Sequence, residues 1–399
     1  MSVQAGPTDM LGEAKGPSLT LRYLRERAES VVISRIARNA EEVDAQYSWP
    51  ADSLHALAEA GMLGLHVPAR FGGLEQGMEG LVTIIETIAT ACSSTALCYA
   101  MHCVATAVIA AKATVPQIER YLKPIAAGKH ITTLALSEGG TGAHFYLPQA
   151  QLVQKDGSFR LDGTKHFVTN GGYADSYVVS TVAAEPGAEP GEFSCVLVDT
   201  KAPGVEWISD WHGFGMRGNA SRTMQLKQVH IAQENLLGER GDQVWYVFEV
   251  VAPYFLTAMA ATYLGIATAA LNCVVEHVKS RKYTHSGESL AELSNVQQGI
   301  ARLWCEVERT RLLIYDAARL GDLGSPDALP SIFAAKIAAA ETATLVTNEA
   351  MTLAGGIAYR DNSRLARLLR DARAAHVMSP TTELLKQWLG RALLDLPLF

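Results

Sequence analysis

The spacing of apolar residues along the 399-residue chain predicts an α+β protein of three domains. Apolar residues recur at helical spacing in the first third, alternate with polar residues in the middle, and return to helical spacing in the last third. We therefore expect a flexible arm at residues 1–18, an α-helical domain at 19–130, a β-domain at 131–239 and a helical bundle at 240–399. This order suggests a site where the three domains meet.

The first domain is predicted to be helical throughout. The run LRYLRERAESVVISRIA follows helical spacing, and Trp49-Pro50 ends it. A short helix is expected from Ala51 to Met62. Residues 78–113 are typical of two helices that are apolar on nearly all sides, which indicates that both are buried.

The middle domain is predicted to consist of short strands, among them FSCVLVD and TMQLKQVHI. The pairs Asp156-Gly157, Asp162-Gly163 and Gly171-Gly172 are expected to form turns between strands. Lys165 is expected to be a charge at a strand edge. The last domain contains long Ala- and Leu-rich runs whose small residues allow close helix packing, as in a four-helix bundle.

Composition and charge argue against several classes of protein. A net charge of −7 disfavours nucleic acid as the main partner. We expect no membrane span, because no uninterrupted apolar stretch has the required length. We also expect no secretory signal, because residues 1–17 are polar and rich in glycine and proline, with no apolar core. The six cysteines form no CxxC pair, and the eleven histidines form no HxxxH or HxH grouping with carboxylates. We therefore expect a cytoplasmic protein with reduced cysteines and no metal site.

Two glycine-rich turns flank strand-like segments between Leu134 and Asp175. Glycine accepts positive φ and has no Cβ, so the turn EGGTG can bring backbone N–H groups close to a bound anion or ring. Thr169 and Asn170 end the second strand-like run, just before Gly171-Gly172. Polar groups at strand ends are where a flat heteroaromatic cofactor can be hydrogen-bonded, although glycine-rich hairpins are common in β-domains.

Six ordered motifs make the chain resemble the acyl-CoA dehydrogenase superfamily over nearly its whole length. They are GMLGLHVPARFGGL, ALSEGGTG, DGTKHFVTNGGYAD, GFGMRGNASRT, VHIAQENLLGE, and AGGIAY with LLRDAR. The resemblance implies an α-helical domain, a middle β-barrel domain and a C-terminal four-helix bundle. It also implies one FAD per subunit and a homotetramer (a dimer is the smaller alternative).

The resemblance also implies which residues bind FAD. Ser137 and Thr169 take the positions that hydrogen-bond the flavin ring in this family, and Leu136 and Phe167 those that line it. Gly142 belongs to the glycine turn beside them. Five further positions correspond to contacts with the FAD diphosphate, from a neighbouring subunit, or with its adenine end, namely Arg281, Gly355, Gly356, and the polar pair Thr381 and Glu383.

The positions of the family's catalytic glutamate are substituted in this chain. Counted from Arg370, the usual position of the base is Ser379, and a serine hydroxyl is a poor base without an activating partner. The alternative positions on a bundle helix are Phe255 and Leu256. Ala143-His144 replaces the polar pair that often contacts the pantetheine arm of the thioester. The cofactor half of the pattern is kept, whereas the dehydrogenation half is altered.

Three functions are compatible with this combination. The chain can oxidise an acyl thioester with a displaced base, for which Glu249, His376 and Asp371 are candidates. Each has a structural alternative, and for Asp371 this is an ion pair. A flavin monooxygenase that uses a C4a-hydroperoxide needs no carboxylate base, and its related hydroxylases receive reduced flavin from a separate reductase. The third function is a non-catalytic partner subunit.

His144 is a further candidate because it could donate a hydrogen bond to a substrate carbonyl or a hydroperoxide, although an exposed loop histidine is an equally good interpretation. The expected partners are a small-molecule or acyl-thioester substrate and an electron-transfer protein or flavin reductase.

Overall fold

The computed structural model describes residues 20–189 and 191–398 of the chain. The arm expected at residues 1–18 lies outside the described residues. Within them, helices occupy the first and last thirds, and the strands lie between residues 132 and 237. The observed order of elements confirms the predicted α+β class.

Seven α-helices form the N-terminal domain. They are α1 (Leu21–Val31), α2 (Ala37–Ala45), α3 (Ala51–Glu59), α4 (Met78–Ala89), α5 (Ser93–Ala111), α6 (Val115–Gln117) and α7 (Lys123–Ala126). Nearly every residue of α5 is buried, as its apolar sequence predicts. The carboxylate of Asp322, from the bundle, accepts hydrogen bonds from the N–H groups of Met78 at 2.6 Å and Glu79 at 3.0 Å. This contact caps α4 and joins the first domain to the last.

The middle domain is one eight-stranded sheet. Its strands are β1 (Thr132–Ala135), β2 (Gln151–Lys155), β3 (Ser158–Val168), β4 (Ser176–Ala183), β5 (Phe193–Asp199), β6 (Val205–Trp207), β7 (Arg222–Ile231) and β8 (Leu236–Leu237). The hydrogen-bonded order is β6-β7-β3-β2-β4-β5-β8, and β1 pairs in parallel with β4. Both strands predicted from FSCVLVD and TMQLKQVHI are present.

Two of the predicted turns are present, and the third is a bulge. Asp156-Gly157 joins β2 to β3 with φ values of +49° and +73°, and Gly171-Gly172 lies between β3 and β4. Asp162-Gly163 instead lies within β3, where the register with β7 shifts. The turn prediction there is wrong, because the glycine is needed for close packing within the strand. A Cβ at position 163 would lie only 2.7 Å from the Cβ of Ala150.

Five helices form the C-terminal part, with the short helix α8 (Gln243–Trp245) and a π-helical segment (Tyr246–Val251) leading into them. They are α9 (Ala252–Ser280), α10 (Ser294–Asp322), α11 (Ala328–Ala354), α12 (Arg364–Val377) and α13 (Thr382–Leu393). Helix α11 packs against α9, α10, α12 and α13, while α9 also packs on α4 and α5. The bundle therefore supports the N-terminal domain as well as its own core.

Among the described residues, three helices are long and apolar enough to cross a membrane by length and composition alone. They span Ser93–Ala111, Gln243–Ser280 and Ala328–Ile357, so the expectation that no stretch has this length is wrong. Their apolar windows are 89%, 78% and 50% buried inside the fold, respectively. Packing within the fold accounts for the apolar character of the first two, and half of the third lies on the surface of the chain.

Two buried histidines of the N-terminal domain are held in their neutral form. Nε2–H of His102 donates to the carbonyl of Leu63 at 3.0 Å, and its Nδ1 accepts from the N–H of Thr132 at 3.1 Å. Nδ1 of His66 donates to the carbonyl of Gln76 at 2.7 Å. Burial lowers the pKa of each imidazole to about 4.

We expect acid to destabilise the fold through these histidines. Unfolding raises each pKa from about 4 to an ordinary value near 6.5, so the unfolded chain binds more protons below pH 6.5. The free energy of unfolding decreases as the pH falls from about 6.5 towards 4, and the decrease reaches about 2 kcal/mol per histidine at pH 5. Thermal unfolding midpoints across this window provide the measurement. His102→Gln should make the midpoint depend less on pH, whereas the same change at exposed His230 should leave that dependence unaltered.

Candidate active site

A cavity of about 620 Å³ lies where the three domains meet. One wall comes from the middle domain and is formed by the end of β1, the end of β3 and the loop before β7. The opposite wall comes from helices, with Leu97 and Met101 on α5, Phe255 on α9 and the connection from α12 to α13. The volume is within the usual range of small-molecule sites.

Five of the residues expected to hold the flavin lie together on the middle-domain wall. Leu136 and Ser137 follow β1, Phe167 and Thr169 lie at the end of β3, and Gly142 lies in the glycine turn. The Thr169 hydroxyl is 3.3 Å from that of Ser221, and both residues line the cavity. The wall therefore presents hydroxyl groups beside an open glycine loop.

The backbone around Phe167 turns its ring outwards. A register shift between Lys165 and Val168 interrupts the ladder with β7, and Phe167 has a φ of +54°. Its ring is 68% exposed and meets Trp211 edge-on, with 6.4 Å between ring centroids. Gly142 has a φ of +55°, and a Cβ there would have none of the described atoms within 4 Å, so the loop is open at this point. This wall fits a flat heteroaromatic ring.

Lys165 and Glu138 form a buried ion pair at this wall. Glu138 lines the cavity, and its carboxylate also accepts from the N–H groups of Gln149 at 3.0 Å and Ala150 at 3.1 Å. The Lys165 ammonium also donates to the Ser180 hydroxyl at 3.1 Å. Burial lowers the pKa of Lys165 in spite of its partner. The expectation of a strand-edge charge is wrong, because the side chain points into the sheet's interior.

Ser379 lies in the cavity at the connection between α12 and α13. Its hydroxyl donates to the carbonyl of Ala143 at 3.0 Å and so joins the bundle to the glycine loop. Thr381 also lines the cavity, and its hydroxyl accepts from the N–H of Leu384 at 3.3 Å as the N-cap of α13. Phe255 faces the cavity, whereas Leu256 is fully buried.

Neither the displaced-base candidates Glu249 and His376 nor the candidate donor His144 lines the cavity. Glu249 is exposed on the π-helical segment. His376 is half-buried, its Nε2 is 3.2 Å from the Thr344 hydroxyl, and burial lowers the pKa of the imidazole. His144 is exposed, and its Nδ1 lies 2.8 Å from the Tyr146 hydroxyl. None of these three side chains therefore faces the cavity as a catalytic base would.

Asp371 is a buried hydrogen-bond acceptor. Its carboxylate accepts from the Ser93 hydroxyl and, at 2.6 Å, from the N–H of Met216. Burial raises the pKa of this carboxyl. The expected ion pair with a neighbouring cation is wrong, because Arg370 pairs with Asp44 instead. Asp371 therefore ties α12 to α5 and to the loop before β7.

Four other predicted cofactor residues lie on the surface, away from this cavity. Arg281 follows α9, Gly355 and Gly356 follow α11, and Glu383 lies in the first turn of α13. All are exposed, and Glu383 accepts from Lys386 at 3.1 Å. Their assignment to the FAD of a neighbouring subunit stays a prediction.

The cavity wall contains no carboxylate that is free to accept a proton from a substrate, among the residues that the structure describes. Its ionisable side chains are Glu138, His166, Arg370 and Arg373. Glu138 is bound to Lys165, and the two guanidinium groups are cations. Neither Glu138 nor His166 is assigned a role by the sequence patterns, although both lie within the quoted motifs ALSEGGTG and DGTKHFVTNGGYAD. In the described ranges, no three His, Cys, Asp or Glu side chains are grouped as metal ligands would be.

Comparisons with known proteins agree with this geometry. Models of the acyl-CoA dehydrogenase N-terminal, middle and C-terminal domains match residues 19–129, 133–229 and 256–394, respectively. Cyclohexane-1-carbonyl-CoA dehydrogenase of Geobacter metallireducens is 30% identical over 379 residues, which cover 94% of this chain and 97% of that protein. Cyclohex-1-ene-1-carbonyl-CoA dehydrogenase of the same organism is 29% identical over 377 residues, again 94% and 97% of the two chains.

Solved structures show the same fold. Butyryl-CoA dehydrogenase from Megasphaera elsdenii superimposes with a TM-score of 0.88 at 24% identity, covering 95% of this chain and all of that one. The FAD complex of PigA gives a TM-score of 0.85 at 21% identity, with 96% and 99% coverage.

The fold and the cavity define a flavin-dependent oxidoreductase. The chain belongs to the acyl-CoA dehydrogenase family. Members of this family depend on FAD, and the hydroxyl-bearing wall around Ser137 and Thr169 fits the flavin ring.

Proposed function

We propose that the chain is an FAD-dependent oxidoreductase that acts on a small acyl thioester or a related molecule in the cavity between its three domains. The observation that carries this proposal is the two-walled cavity. One wall has the hydroxyls and open glycines that suit a flavin, and the other is lined by apolar side chains such as Leu97, Met101 and Phe255. Relatives of 27–30% identity over nearly the whole chain are named as dehydrogenases of acyl-CoA compounds.

Bound FAD would supply the capacity to accept a hydride from the substrate. Ser137 and Thr169 would hydrogen-bond the ring, and Phe167 would cover its exposed edge. The apolar helical wall would orient the substrate and exclude water. The Ser379 hydroxyl already donates to the Ala143 carbonyl, so it stabilises the glycine loop rather than receiving a proton.

Anaerobic mixing of the FAD-loaded protein with a panel of acyl-CoA compounds tests this proposal. Dehydrogenation should bleach the flavin absorbance with at least one member of the panel. A protein that binds FAD and is bleached by none of them would contradict the thioester proposal. A colourless protein that retains no FAD would contradict every flavin function and leave the non-catalytic partner subunit.

Monooxygenation in the same cavity is a second candidate function. It is favoured by one observation, namely that no free carboxylate lines the cavity among the described residues. Removal of a substrate proton together with a hydride calls for such a base, whereas oxygenation by a reduced flavin does not. Reduced protein mixed with oxygen should then show the transient absorbance of a flavin–oxygen adduct, and a flavin reductase would be the partner.

We also propose a cytoplasmic homotetramer in which Arg281, Gly355 and Gly356 contact the FAD of a neighbouring subunit. Their exposure in the single chain leaves them accessible for such contact. Size-exclusion chromatography with and without FAD tests the link between assembly and cofactor. A monomer that binds FAD tightly would contradict the shared site.

The hydroxyl of Thr169 is expected to contribute to FAD affinity. Thr169→Val should weaken FAD binding roughly fivefold, the effect of losing one hydrogen bond of about 1 kcal/mol. Quenching of intrinsic fluorescence on titration with FAD gives the dissociation constant. Thr164→Val, on the strand that leads to Thr169 and away from the cavity lining, is the matched control and should leave the constant unchanged.

A further inference from the structure

His166 lies on the wall of the cavity that is expected to hold the flavin. Its backbone N–H donates to the carbonyl of Ser137 at 2.8 Å, so the end of β3 is fastened to the segment that follows β1. His166, Ser137 and Thr169 all line the cavity from the middle domain. The helical wall, with Phe255 and Met101, is on the other side. The imidazole therefore belongs to the flavin side of the cavity rather than to the substrate side.

Two neighbours fix the position of the imidazole. Its Nδ1 is 3.4 Å from the hydroxyl of Thr223 on β7. Its Nε2 faces the backbone of Gly139, where a Cβ would lie only 3.3 Å from the nitrogen. A side chain at position 139 would crowd the ring, so the glycine provides the room that His166 occupies.

The other ionisable groups around the cavity are held in ion pairs or lie on the helical wall. Glu138 is paired with Lys165 and accepts from two backbone N–H groups. Arg370 is paired with Asp44 on the helical side. Arg373 is exposed on α12. Among the described ionisable side chains of the flavin wall, His166 is the one that can direct an N–H at the ring without breaking an ion pair.

We propose that His166 contacts the bound flavin and raises its reduction potential by directing an imidazole N–H at the ring. If the Thr223 hydroxyl donates to Nδ1, Nε2 carries the proton and is the donor. Reduction adds electron density to the flavin, and a donor beside the ring stabilises that density. The inference rests on the proposed flavin site and is independent of the substrate.

The test compares the wild-type protein with His166→Leu and His166→Gln, each loaded with FAD. Midpoint potentials come from equilibration with a reference dye, and visible spectra are recorded on the same samples. His166→Leu should lower the midpoint potential and shift the flavin absorbance bands. His166→Gln, which retains an N–H donor, should restore most of both properties. His230→Leu, on the exposed face of β7, is the matched control and should change neither.

Gly139→Ala provides an independent check on the same contact. Its Cβ would require the imidazole to give way by a few tenths of an ångström, so it should shift the spectrum in the same direction as His166→Leu by a smaller amount, and it should add nothing when combined with that variant. Equal potentials and spectra for the wild type and both His166 variants, with FAD bound in each, would overturn this inference alone. A wild-type chain that binds no FAD would overturn the cofactor site as well.

Discussion

Replacing Lys165 with methionine is expected to destabilise the protein by about 3–5 kcal/mol. The ammonium is fully buried and pairs with Glu138, so its removal leaves a carboxylate inside the fold without a cation. The backbone N–H groups of Gln149 and Ala150 still bind that carboxylate but do not neutralise it. Glu138 also lines the cavity, so the variant should bind FAD more weakly as well as unfold at a lower temperature.

Two further variants separate the buried pair from lysine replacement in general. Lys227→Met removes an exposed ion pair with Glu206, on the same sheet, and should cost no more than about 1 kcal/mol. Lys165→Met combined with Glu138→Gln leaves no buried charge and should recover part of the lost stability. Urea unfolding followed by intrinsic fluorescence measures all three. Equal losses for Lys165→Met and Lys227→Met would contradict the assigned role of the buried pair.

The fold was largely predictable because its periodicities are long and uninterrupted. Helix α5 is apolar on nearly all sides and is almost completely buried, and β5 and β7 are present where their alternation predicts them. Asp162-Gly163 misled the turn prediction because local sequence does not show which backbone comes close. In the structure, Ala150 approaches Gly163 and requires a glycine there.

The charged residues of the site were harder to predict because their partners are distant in sequence. Lys165 is paired with a residue 27 positions away, and Asp371 accepts from a backbone N–H 155 positions away. Neither partner can be recognised from local spacing. By contrast, Ser137, Phe167 and Thr169 belong to two continuous motifs. The parallel pairing of β1 with β4, together with the hydrogen bond from the His166 N–H to the Ser137 carbonyl, brings those motifs to one wall. Motifs therefore located the cavity wall that is expected to hold the flavin, while its charge balance required the structure.

Placing glutamate at position 379 is expected to create or strongly increase acyl-CoA dehydrogenation. Ser379 lines the cavity at the connection between α12 and α13, so a carboxylate there would supply the base that is missing among the described lining residues. Because the serine hydroxyl now donates to the carbonyl of Ala143, a carboxylate would be repelled from that oxygen and would turn towards the cavity. A positioned general base contributes roughly 10²–10⁴-fold to a rate, so flavin bleaching by a responsive acyl-CoA should accelerate at least about 100-fold.

Ser379→Gln distinguishes the base from the loss of the serine contact. Glutamine has nearly the shape of glutamate and also breaks the hydroxyl bond to Ala143, but it cannot accept a proton at neutral pH. Faster bleaching with glutamate alone would identify position 379 as the site of the missing base. Equal bleaching rates in both variants and the wild type would contradict that assignment, and another group would then have to receive the proton. If instead no acyl-CoA bleaches the wild type but its reduced form gives a flavin–oxygen adduct, monooxygenation is supported, because that reaction needs no carboxylate base at position 379.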